Sequence, residues 1–580
     1  MRICVVGAGP RGTGVLQRLC ALGDELEVHV VDPYPPGPGR IWRRAQPDLL
    51  WMNSPVSGVD MFGGPDGLPS LWEWFRTEGE PLLADGELAG EASRLTERRF
   101  ASRPLAGAYY EWIFAGAASG SRVHVHRCRA VDVRDHGSAQ AVWLEGVPEP
   151  LVVDAVILTQ GHIGARPGPA ERSLAAFAES HGLTYRPPGH AEDVPTVRPG
   201  ESVLLRGLGL TFIDQVTLLT QGRGGKFRRT GAGELVYEPS GEEPVIHAGS
   251  RRGVPYHAKP TSALIAGPPP LPRFFTHDVA GSGLDFRERL WPLVVKEILG
   301  GYYHELFLGH PFRTAMSWDE FSERFAETDD PASLIAAAVP DPADRFDLDT
   351  VAEPMAGLRF GSPAELGRWL RGHLSDVLVR RSDPWYTPEL GALAGLGSAV
   401  MTTIELATAG RIAPASRSAD VERWFLPFGS YLSSGPPQRR VAELIALSEA
   451  GVVRFLGPRL KVFATEEAFV ASSPAVPGTV RATALIEARL AEPTVQTMTD
   501  PLLTALFGRG ECTAEPGTGR LAVRESDHRL LTRSGTAHPR RFAAGPLVER
   551  VRTSASQDVP EFGFFAVNDS LARAVLSGDA

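Results

Sequence analysis

The chain has 580 residues, of which 43% are hydrophobic, and a formal net charge of −10. A chain of this length is too long for one hydrophobic core, so we expect two to four globular domains. Its acidic balance, without a basic stripe, argues against nucleic acid as a partner.

The composition also argues against a membrane protein or an exported one. No stretch approaches 18 uncharged apolar residues, and Met1 leads directly into a strand-like run without the features of a signal peptide. The four cysteines, Cys4, Cys20, Cys128 and Cys512, lack metal-ligand spacing and fit a reducing compartment. We therefore expect a cytoplasmic protein with no metal and no membrane contact. The sequence leaves the oligomeric state open, and a homo-oligomer is compatible with it.

Hydrophobic periodicity predicts an α/β chain in which one order of elements occurs twice. The first copy has a strand at 2–7, a helix at 13–23, a strand at 26–31, helical segments from about 70 to 120, strands at 122–133 and 151–159, and a Pro- and Gly-rich linker at 164–200. The second copy has a strand at 201–207, a helix at 213–222, an apolar run at 244–250, mostly helical residues 265–434, a helix at 439–451, and strands at 452–457, 460–465 and 482–490. We expect the last 80 residues to rejoin the first domain.

The first glycine loop has the full context of a dinucleotide-binding fingerprint. Gly7, Gly9 and Gly12 follow a strand and begin a helix, and Asp32 ends the next strand. Gly7 permits the tight turn, Gly9 lets the backbone approach a pyrophosphate, and Gly12 allows close packing of helix on strand. The positive end of the helix dipole then faces the phosphates, while Asp32 can accept hydrogen bonds from a ribose.

A second glycine loop, with Gly207 and Gly209, also follows a strand but lacks the third glycine. Downstream, Ser250, Arg251 and Arg252 end an apolar run, where an arginine that binds the 2′-phosphate of NADP belongs. Arginine is the default basic residue here, and the spacing from Gly209 exceeds the usual interval of about 20 residues. We predict NADPH at this site, with NADH or a purely structural role as alternatives.

With these motifs in place, the chain resembles the two-dinucleotide flavoproteins that include the N-hydroxylating, class B type monooxygenases. Their motif D-x3-(L/F)-A-T-G-Y-x4-(H/P) is matched at Asp154, Leu158, Gly161 and Pro167. It is more similar still to the bacterial FAD/NAD(P)-binding family that contains the aspartate-oxidising nitrosuccinate synthases. That resemblance rests on the segments GAGPRG, DPYPPGPGRIW, LLWMN, SRPLAGAYYEW, LTQGHIGARP, GLGLTFID and SRRGVP.

The resemblance assigns expected roles to further residues. Asn53 would lie near the isoalloxazine ring, although a turn before Ser54 explains it equally well. Val131 would place backbone groups on the adenine, Gly545 would belong to a third flavin motif, and Asn568 would begin a helix that closes over the flavin. Because Pro546 departs from the family pattern, the ribityl contact there is in doubt.

The family fold implies two Rossmann-like dinucleotide-binding domains with a mostly helical insertion. The FAD-binding domain would comprise 1–165 and 496–580, and the NADPH-binding domain 195–264 and 435–495. Residues 265–434 would be the insertion, as a layer that covers the substrate.

The implied activity is N-oxygenation of a small amine or amino acid, with aspartate among the candidates, by O2 through a flavin hydroperoxide. The amine must react in its neutral form, so His162 is a candidate base, although such a histidine more often only bonds the backbone. Gln160 and His162 stand where the family has Thr and Tyr, and Gly161 would give the backbone room to cross between domains. Lys259 and Arg273 could bind a substrate carboxylate, unless they are solvated loop charges.

Rival interpretations stay open on the residues alone. A Baeyer-Villiger or sulfur-oxygenating enzyme shares both glycine loops, but the linker signature F-x-G-x3-H-x3-W of the ketone oxygenases is absent. A disulfide reductase would need a C-x-x-C pair, which the chain lacks. A non-catalytic FAD-binding protein is a further alternative because the second glycine motif is incomplete.

Overall fold

The computed structural model of the chain describes residues 1–61, 68–120, 122–191, 194–231, 233–328, 330–548 and 563–578. It separates into two compact units. Unit 1 comprises Met1–Pro167 and Ala491–Ala580, and unit 2 comprises Gly168–Leu490.

Unit 1 is formed by an N-terminal and a C-terminal segment of the chain. The elements of its N-terminal segment are β1 Arg2–Val6, α1 Pro10–Leu22, β2 Glu27–Val31, α2 Leu71–Trp74, α3 Glu80–Leu83, α4 Ala89–Ala92, α5 Arg103–Ser119, β3 Arg122–His126, β4 Ala130–His136, β5 Ala139–Leu144, β6 Leu151–Val153 and β7 Ala155–Leu158.

Unit 2 contains most of the helices. Its elements are α6 Pro169–His181, β8 Thr184–Arg186, β9 Ser202–Arg206, α7 Leu210–Leu219, β10 Lys226–Arg229, β11 Leu235–Glu238, β12 Val245–Gly249, α8 Trp291–Gly309, α9 Trp318–Glu327, α10 Pro331–Ala338, α11 Leu348–Ala352, α12 Pro363–Arg380, α13 Pro388–Thr408, α14 Pro414–Ser416, α15 Leu426–Ser433, α16 Gln438–Glu449, β13 Val453–Gly457, β14 Lys461–Thr465, β15 Ala468–Ser473, β16 Val476–Ala482 and β17 Ala484–Glu487.

The chain then returns to unit 1. The returning elements are α17 Pro501–Arg509, β18 Arg529–Leu531, β19 Ala537–Ala543 and α18 Phe564–Leu576. Three π-helical turns, Phe75–Gly79, Phe286–Leu290 and Arg417–Phe425, lead into α3, α8 and α15.

Unit 1 is built on a six-stranded sheet in the order β18-β19-β7-β1-β2-β3, parallel except between β18 and β19. Its central strands are continuous apolar runs, as expected where both faces are covered. One face packs on α1, α5 and α18, and the other on the antiparallel strands β4-β5-β6. Val6 pairs with Leu158, so the loops after β1 and β7 leave the same edge of the sheet.

Unit 2 repeats this plan with a five-stranded parallel sheet in the order β13-β12-β9-β17-β8. Strands β14-β15-β16 form an antiparallel sheet, as β4-β5-β6 do in unit 1. Arg206 pairs with Gly249, so the loops after β9 and β12 lie side by side. The predicted fold class, two Rossmann-like units with a helical insertion, is confirmed.

The insertion belongs to the core of unit 2. Within its described part, residues 265–434 form helices α8–α15 and no strand. Helix α13 is long and apolar enough to cross a membrane, a property that our sequence analysis did not identify. More than half of it is buried inside the protein, as in the core helix of a soluble domain, so it is weak evidence for a membrane span.

Several predicted elements were wrong in detail. The single strand at 122–133 is two strands in different sheets, and Val131 lies inside the second of them, β4. The predicted linker at 164–200 contains α6 and β8, because Gly168 and Pro169 start a helix as N-cap and first helical residue. Strands β15 and β16 were missed. The last helix begins at Phe564 and not at Asn568.

Candidate functional site

The loop after β1 has the steric requirements of a dinucleotide fingerprint. Gly7 has a φ of +103°, and a Cβ there would lie 2.6 Å from the carbonyl oxygen of Thr159. A Cβ on Gly12 would lie 1.9 Å from the oxygen of Gly7. Gly9 differs, since the nearest atom to its added Cβ is Cα of Gly39, 3.9 Å away. Gly7 and Gly12 are therefore required by the fold, whereas Gly9 borders open space.

That open space is a cavity of about 560 Å³ within unit 1. The N-terminus of α1 has no side-chain cap and borders it, so the cavity meets the positive end of the helix dipole. The residues that line the cavity and matter for its chemistry are Gly9, Arg11, Asp32, Tyr34, Gly39, Arg40, Trp42, Tyr110, Cys128, Arg129, Gln160, Gly161, His162, Asp500 and Phe564.

Asp32 lies at the end of β2, and both of its oxygens are bonded to the backbone. Oδ2 accepts from the N–H of Ala8 at 2.7 Å, and Oδ1 accepts from the N–H of Tyr34 at 2.8 Å. Burial raises the pKa of Asp32, and the two backbone N–H groups oppose that shift. The carboxylate thus joins the two loops of the cavity and keeps lone pairs for a ribose hydroxyl.

The polar residues Thr159, Gln160 and His162, which follow β7, also line this cavity. Thr159 donates through Oγ1 to the carbonyl oxygen of Gly7 at 2.7 Å, which ties the two loops together. Nε2 of Gln160 lies 3.4 Å from Oδ1 of Asp500, and its Oε1 is buried without a partner among the described residues. His162 is half-buried in the wall, next to Gly161. An unsatisfied buried acceptor beside a helix N-terminus fits a bound polar group.

Arg11 is a cavity residue that sequence reasoning missed. Its Nη1 donates to the carbonyl oxygen of Phe564 at 2.9 Å and to Oδ1 of Asn568 at 2.8 Å. Its guanidinium lies 4.0 Å from the centre of the Phe564 ring. Asn568 therefore positions Arg11 from behind and does not line the cavity itself.

Two further residues that were predicted to contact FAD do not line the unit 1 cavity. Asn53 and Val131 are not among the described residues that line the cavity. Gly545 is adjacent to it, with a φ of +100° and Cγ of Arg11 3.7 Å from an added Cβ. The roles of Asn53 and Val131 stay predictions.

The second glycine loop is placed as a nicotinamide dinucleotide site requires. Gly207 has a φ of +130°, with the oxygen of Ala488 2.5 Å from an added Cβ, and Gly209 is the N-cap of α7. Ser250, Arg251 and Arg252 follow β12, the neighbouring strand. The interval between Gly209 and Arg251 is longer than is usual for an NADP site. The structure shows that it contains the additional hairpin β10-β11.

The two arginines of this loop differ in environment. Arg251 is exposed. Arg252 is half-buried, its Nε donates to the carbonyl oxygen of Ala352 at 2.8 Å, and its guanidinium lies 4.0 Å above the ring of Tyr431.

The two candidate substrate residues have separate anchors. Lys259 is half-buried and donates through Nζ to the carbonyl oxygen of Ser433 at 2.7 Å. Arg273 is exposed, and its Nη2 lies 3.3 Å from the carbonyl oxygen of Ser322. No described contact brings them together, and their role in binding substrate stays a prediction.

Comparison with known proteins decides the family. Residues 4–163 match the FAD-NAD(P)-binding protein family. The chain is 36% identical to an L-aspartate N-monooxygenase (nitrosuccinate-forming) of Streptomyces davaonensis, over 99% of this chain and 97% of that protein. It is 35% identical to a nitrosuccinic acid synthase of Aspergillus oryzae, over 99% and 92%. The chain belongs to the family of nitrosuccinate-forming aspartate N-monooxygenases.

Among solved structures, L-lysine 6-monooxygenase from Pseudomonas syringae matches with a TM-score of 0.45 and 11% identity, over 100% of this chain and 99% of that chain.

Membership in this family settles the main predictions. The protein is a flavin-dependent monooxygenase that binds FAD and a nicotinamide dinucleotide and N-oxygenates its substrate. Family membership therefore excludes two alternative interpretations of the sequence, a non-catalytic flavin-binding protein and a Baeyer-Villiger enzyme. The unit 1 cavity fits FAD because three features meet at it: an uncapped helix N-terminus, a glycine whose added Cβ would have only an ordinary van der Waals contact, and an acidic residue at the end of the next strand.

Weak signals for the missed residues were present in the sequence. Arg11 occupies a variable position of the fingerprint, and Trp42 and Tyr110 lie in segments that carried the family resemblance. Asp500 precedes Pro501, a typical helix start, and its Oδ1 accepts from the N–H of Leu503 at 3.0 Å. Phe564 gave no signal.

Proposed function

We propose that this monooxygenase oxidises the amino group of L-aspartate, with NADPH and O2, to a nitroso product. The observation that carries the proposal is identity of 35% to 36% over nearly the full length of two proteins named for that reaction. The general activity, N-oxygenation by a flavoenzyme, follows from family membership. The substrate and the extent of oxidation are the proposed part.

When bound, FAD supplies the chemistry, since it takes electrons from the nicotinamide and activates oxygen. The task of the chain is to bind, orient and exclude water. In unit 1, Gly9 would let the backbone approach the pyrophosphate, and Arg11 would add a positive charge at the N-terminus of α1. Asp32 would accept hydrogen bonds from the ribose.

The substrate amine must be neutral to act as a nucleophile, so a proton acceptor is needed. His162 is the histidine in the described wall of the unit 1 cavity, and a neutral imidazole nitrogen can accept a proton. We propose that His162 accepts this proton and that Gln160, bonded to Asp500, fixes the adjacent backbone.

The test is product analysis with a panel of amines. The purified protein, loaded with FAD, is incubated with NADPH and O2 and with aspartate, asparagine, glutamate, ornithine or lysine. We expect nitroso or hydroxylamine products from aspartate, detected by mass. NADPH consumption that yields only hydrogen peroxide with every amine would refute the proposal, and products oxidised at sulfur or a ketone would redirect it.

We propose that Arg251 gives the protein a preference for NADPH over NADH. Because its side chain is exposed whereas Arg252 is held by Ala352 and Tyr431, we expect Arg251→Ala to raise KM for NADPH by about tenfold, the loss of roughly one charged hydrogen bond. The KM for NADH is the internal control and stays unchanged. Equal increases for both cofactors would show that Arg251 does not bind the 2′-phosphate.

We also propose a cytoplasmic location. It is supported by the scattered positions of the four cysteines in the sequence, which fit a reducing compartment. Cell fractionation with antibody detection tests it, and recovery with membranes or culture medium would contradict it.

A further inference from the structure

A positively charged side chain is buried in unit 2 with most of its hydrogen-bonding capacity unused. Arg381 is 2% exposed. Its Nη2 lies 3.1 Å from Nδ1 of His257 and 3.4 Å from the carbonyl oxygen of Leu432. Its Nε and Nη1 are buried and have no hydrogen-bond partner in the described chain. Two of the three guanidinium nitrogens therefore lack an acceptor.

The described residues also provide no compensating carboxylate. Glu389 is the acid whose charge acts on Arg381, but its Oε1 accepts from Nη1 of the neighbouring Arg380 at 2.7 Å. Within the described part of the chain, Arg381 forms no salt bridge. Since a buried charge without a partner is strongly unfavourable, an anion from outside the chain would relieve it.

Arg381, His257 and Tyr431 form a chain of hydrogen-bond donors. The last donor of this chain has no acceptor among the described residues. An arginine N–H can only donate, so Nδ1 of His257 must accept from Arg381. Burial lowers the pKa of His257 well below its ordinary value, and the charge of Arg381 lowers it further, so the ring is neutral and carries its hydrogen on Nε2. That nitrogen lies 3.0 Å from the hydroxyl oxygen of Tyr431, which therefore accepts. The phenolic hydrogen of Tyr431 is left to donate to another group.

Two further basic residues belong to this cluster. The guanidinium of Arg252 lies 4.0 Å above the Tyr431 ring. Burial lowers the pKa of Lys259, and the charge of Arg381 adds to that shift. His257, Lys259 and Arg252 are each half-buried and reach the surface of unit 2, whereas Arg381 and Tyr431 are buried behind them.

We propose that Arg381, His257 and Tyr431 form an oxyanion-binding site, with Arg252 and Lys259 at its rim. A carboxylate or phosphate oxygen would accept from the Tyr431 hydroxyl and from Nε and Nη1 of Arg381, and would neutralise the buried charge. Two sources share this chemistry, namely a carboxylate of the amino acid substrate and the 2′-phosphate of the nicotinamide dinucleotide. Either source would deepen the proposed function, although anion binding itself does not depend on that function.

The test measures anion binding without turnover. The thermal midpoint of the FAD-loaded protein is followed in increasing succinate or inorganic phosphate, with chloride at matched ionic strength as the reference. We expect a saturable rise with at least one of the two oxyanions and none with chloride. In Arg381→Met we expect the apparent affinity for that oxyanion to fall by about tenfold or more.

Arg324→Met is the matched control, because it removes an exposed arginine of unit 2 that is paired with Glu320 on helix α9. Its anion response should equal that of the natural protein. If Arg381→Met does not fold, Tyr431→Phe replaces it, since this variant keeps the ring beneath Arg252 and removes only the hydroxyl. We expect Tyr431→Phe to weaken the response as well.

The two sources are separated by comparing ligands. A response to succinate and aspartate but not to phosphate assigns the site to the substrate carboxylate, and a response to phosphate and NADP⁺ but not to NAD⁺ assigns it to the 2′-phosphate. No saturable oxyanion response, or a response that is the same in Arg381→Met or, where that variant does not fold, in Tyr431→Phe, overturns the proposal. Failure of aspartate oxidation in the product assay would leave these binding results intact.

Discussion

A glycine in the loop after β1 can be required for backbone packing or for the approach of a ligand. The atoms next to each glycine distinguish these two roles. Gly12 packs against the oxygen of Gly7 so closely that any side chain would displace backbone, whereas Gly9 borders the open cavity. The fingerprint pattern assigns these roles in general terms. The contacts show the packing role of Gly12, and the role of Gly9 toward the ligand stays a prediction.

This difference predicts separable effects of two alanine variants. We expect Gly9→Ala to fold with unchanged stability and to lose about tenfold or more in FAD affinity, because its Cβ enters the pyrophosphate space. We expect Gly12→Ala to destabilise the protein by about 1–3 kcal/mol even without FAD. Flavin fluorescence titration and thermal unfolding of the FAD-free proteins measure the two effects. Equal losses of stability would contradict the division.

At the scale of elements, the helical insertion is held by a close crossing of α8 and α13. A Cβ on Gly391 would lie 2.2 Å from the carbonyl oxygen of Gly301, and a Cβ on Gly395 would lie 2.5 Å from that of Glu297. The buried carboxylate of Glu297 accepts from the N–H of Phe274 at 2.6 Å, which ties the preceding loop to α8.

Two glycines of α13 therefore respond oppositely to alanine. Gly391→Ala should destabilise the protein by about 1–3 kcal/mol, because the helices cannot separate without losing their packing. The matched control is Gly397→Ala, an exposed position with no atom within 4 Å, where helix propensity should stabilise by about 0.5–1 kcal/mol. Denaturant unfolding compares them, and the same sign for both would refute the prediction.

Strand β12 contains a buried histidine whose ionisation opposes folding in acid. Burial lowers the pKa of His247 from 6.5 to about 4, and Arg454 adds to the shift. Between these values the unfolded chain binds a proton that the folded chain does not, so stability is lost as pH falls from about 6.5 to about 4. A shift of this size corresponds to about 3 kcal/mol.

The prediction is tested with His247→Leu, which cannot be protonated. Denaturant unfolding between pH 7 and pH 4 should show a smaller loss of stability in the variant than in the natural protein, by up to about 3 kcal/mol. Parallel pH profiles of the two proteins would show that His247 does not contribute.

At the scale of the whole molecule, each unit has its own sheet, its own core and its own glycine loop. FAD should therefore stabilise unit 1 through the loops that line the cavity, around 7–12, 32–42 and 159–164. The linkage relation gives about 2.7 kcal/mol when free FAD is a hundred times its Kd.

Hydrogen exchange measures where this stabilisation acts. Adding FAD to the FAD-free protein should slow exchange in those three loops of unit 1, while the 202–219 segment of unit 2 stays unchanged. NADP⁺ serves as the reciprocal control, with its protection expected at 207–212 and 250–253. Protection by FAD that is restricted to unit 2 would contradict the assignment.

The sequence by itself determined the two dinucleotide loops, because each is a short local pattern in which sterics permit only glycine and the next strand ends in a defined residue type. Gly7, Gly12 and Gly207 are such positions, and the alternating fold class followed from apolar periodicity. The elements predicted at 122–133 and 164–200 were wrong because strand breaks and helix caps there depend on packing.

Only the tertiary structure decided which distant residues complete each site. Arg11 meets Phe564 and Asn568 across more than 550 residues, and Gln160 meets Asp500 across 340. The burial of Arg381 beside His257 and Tyr431 is equally invisible in the sequence, where arginine is the common basic residue. The physical reason is that burial and hydrogen-bond partners are properties of the packed chain, whereas a glycine turn is a property of a few consecutive residues.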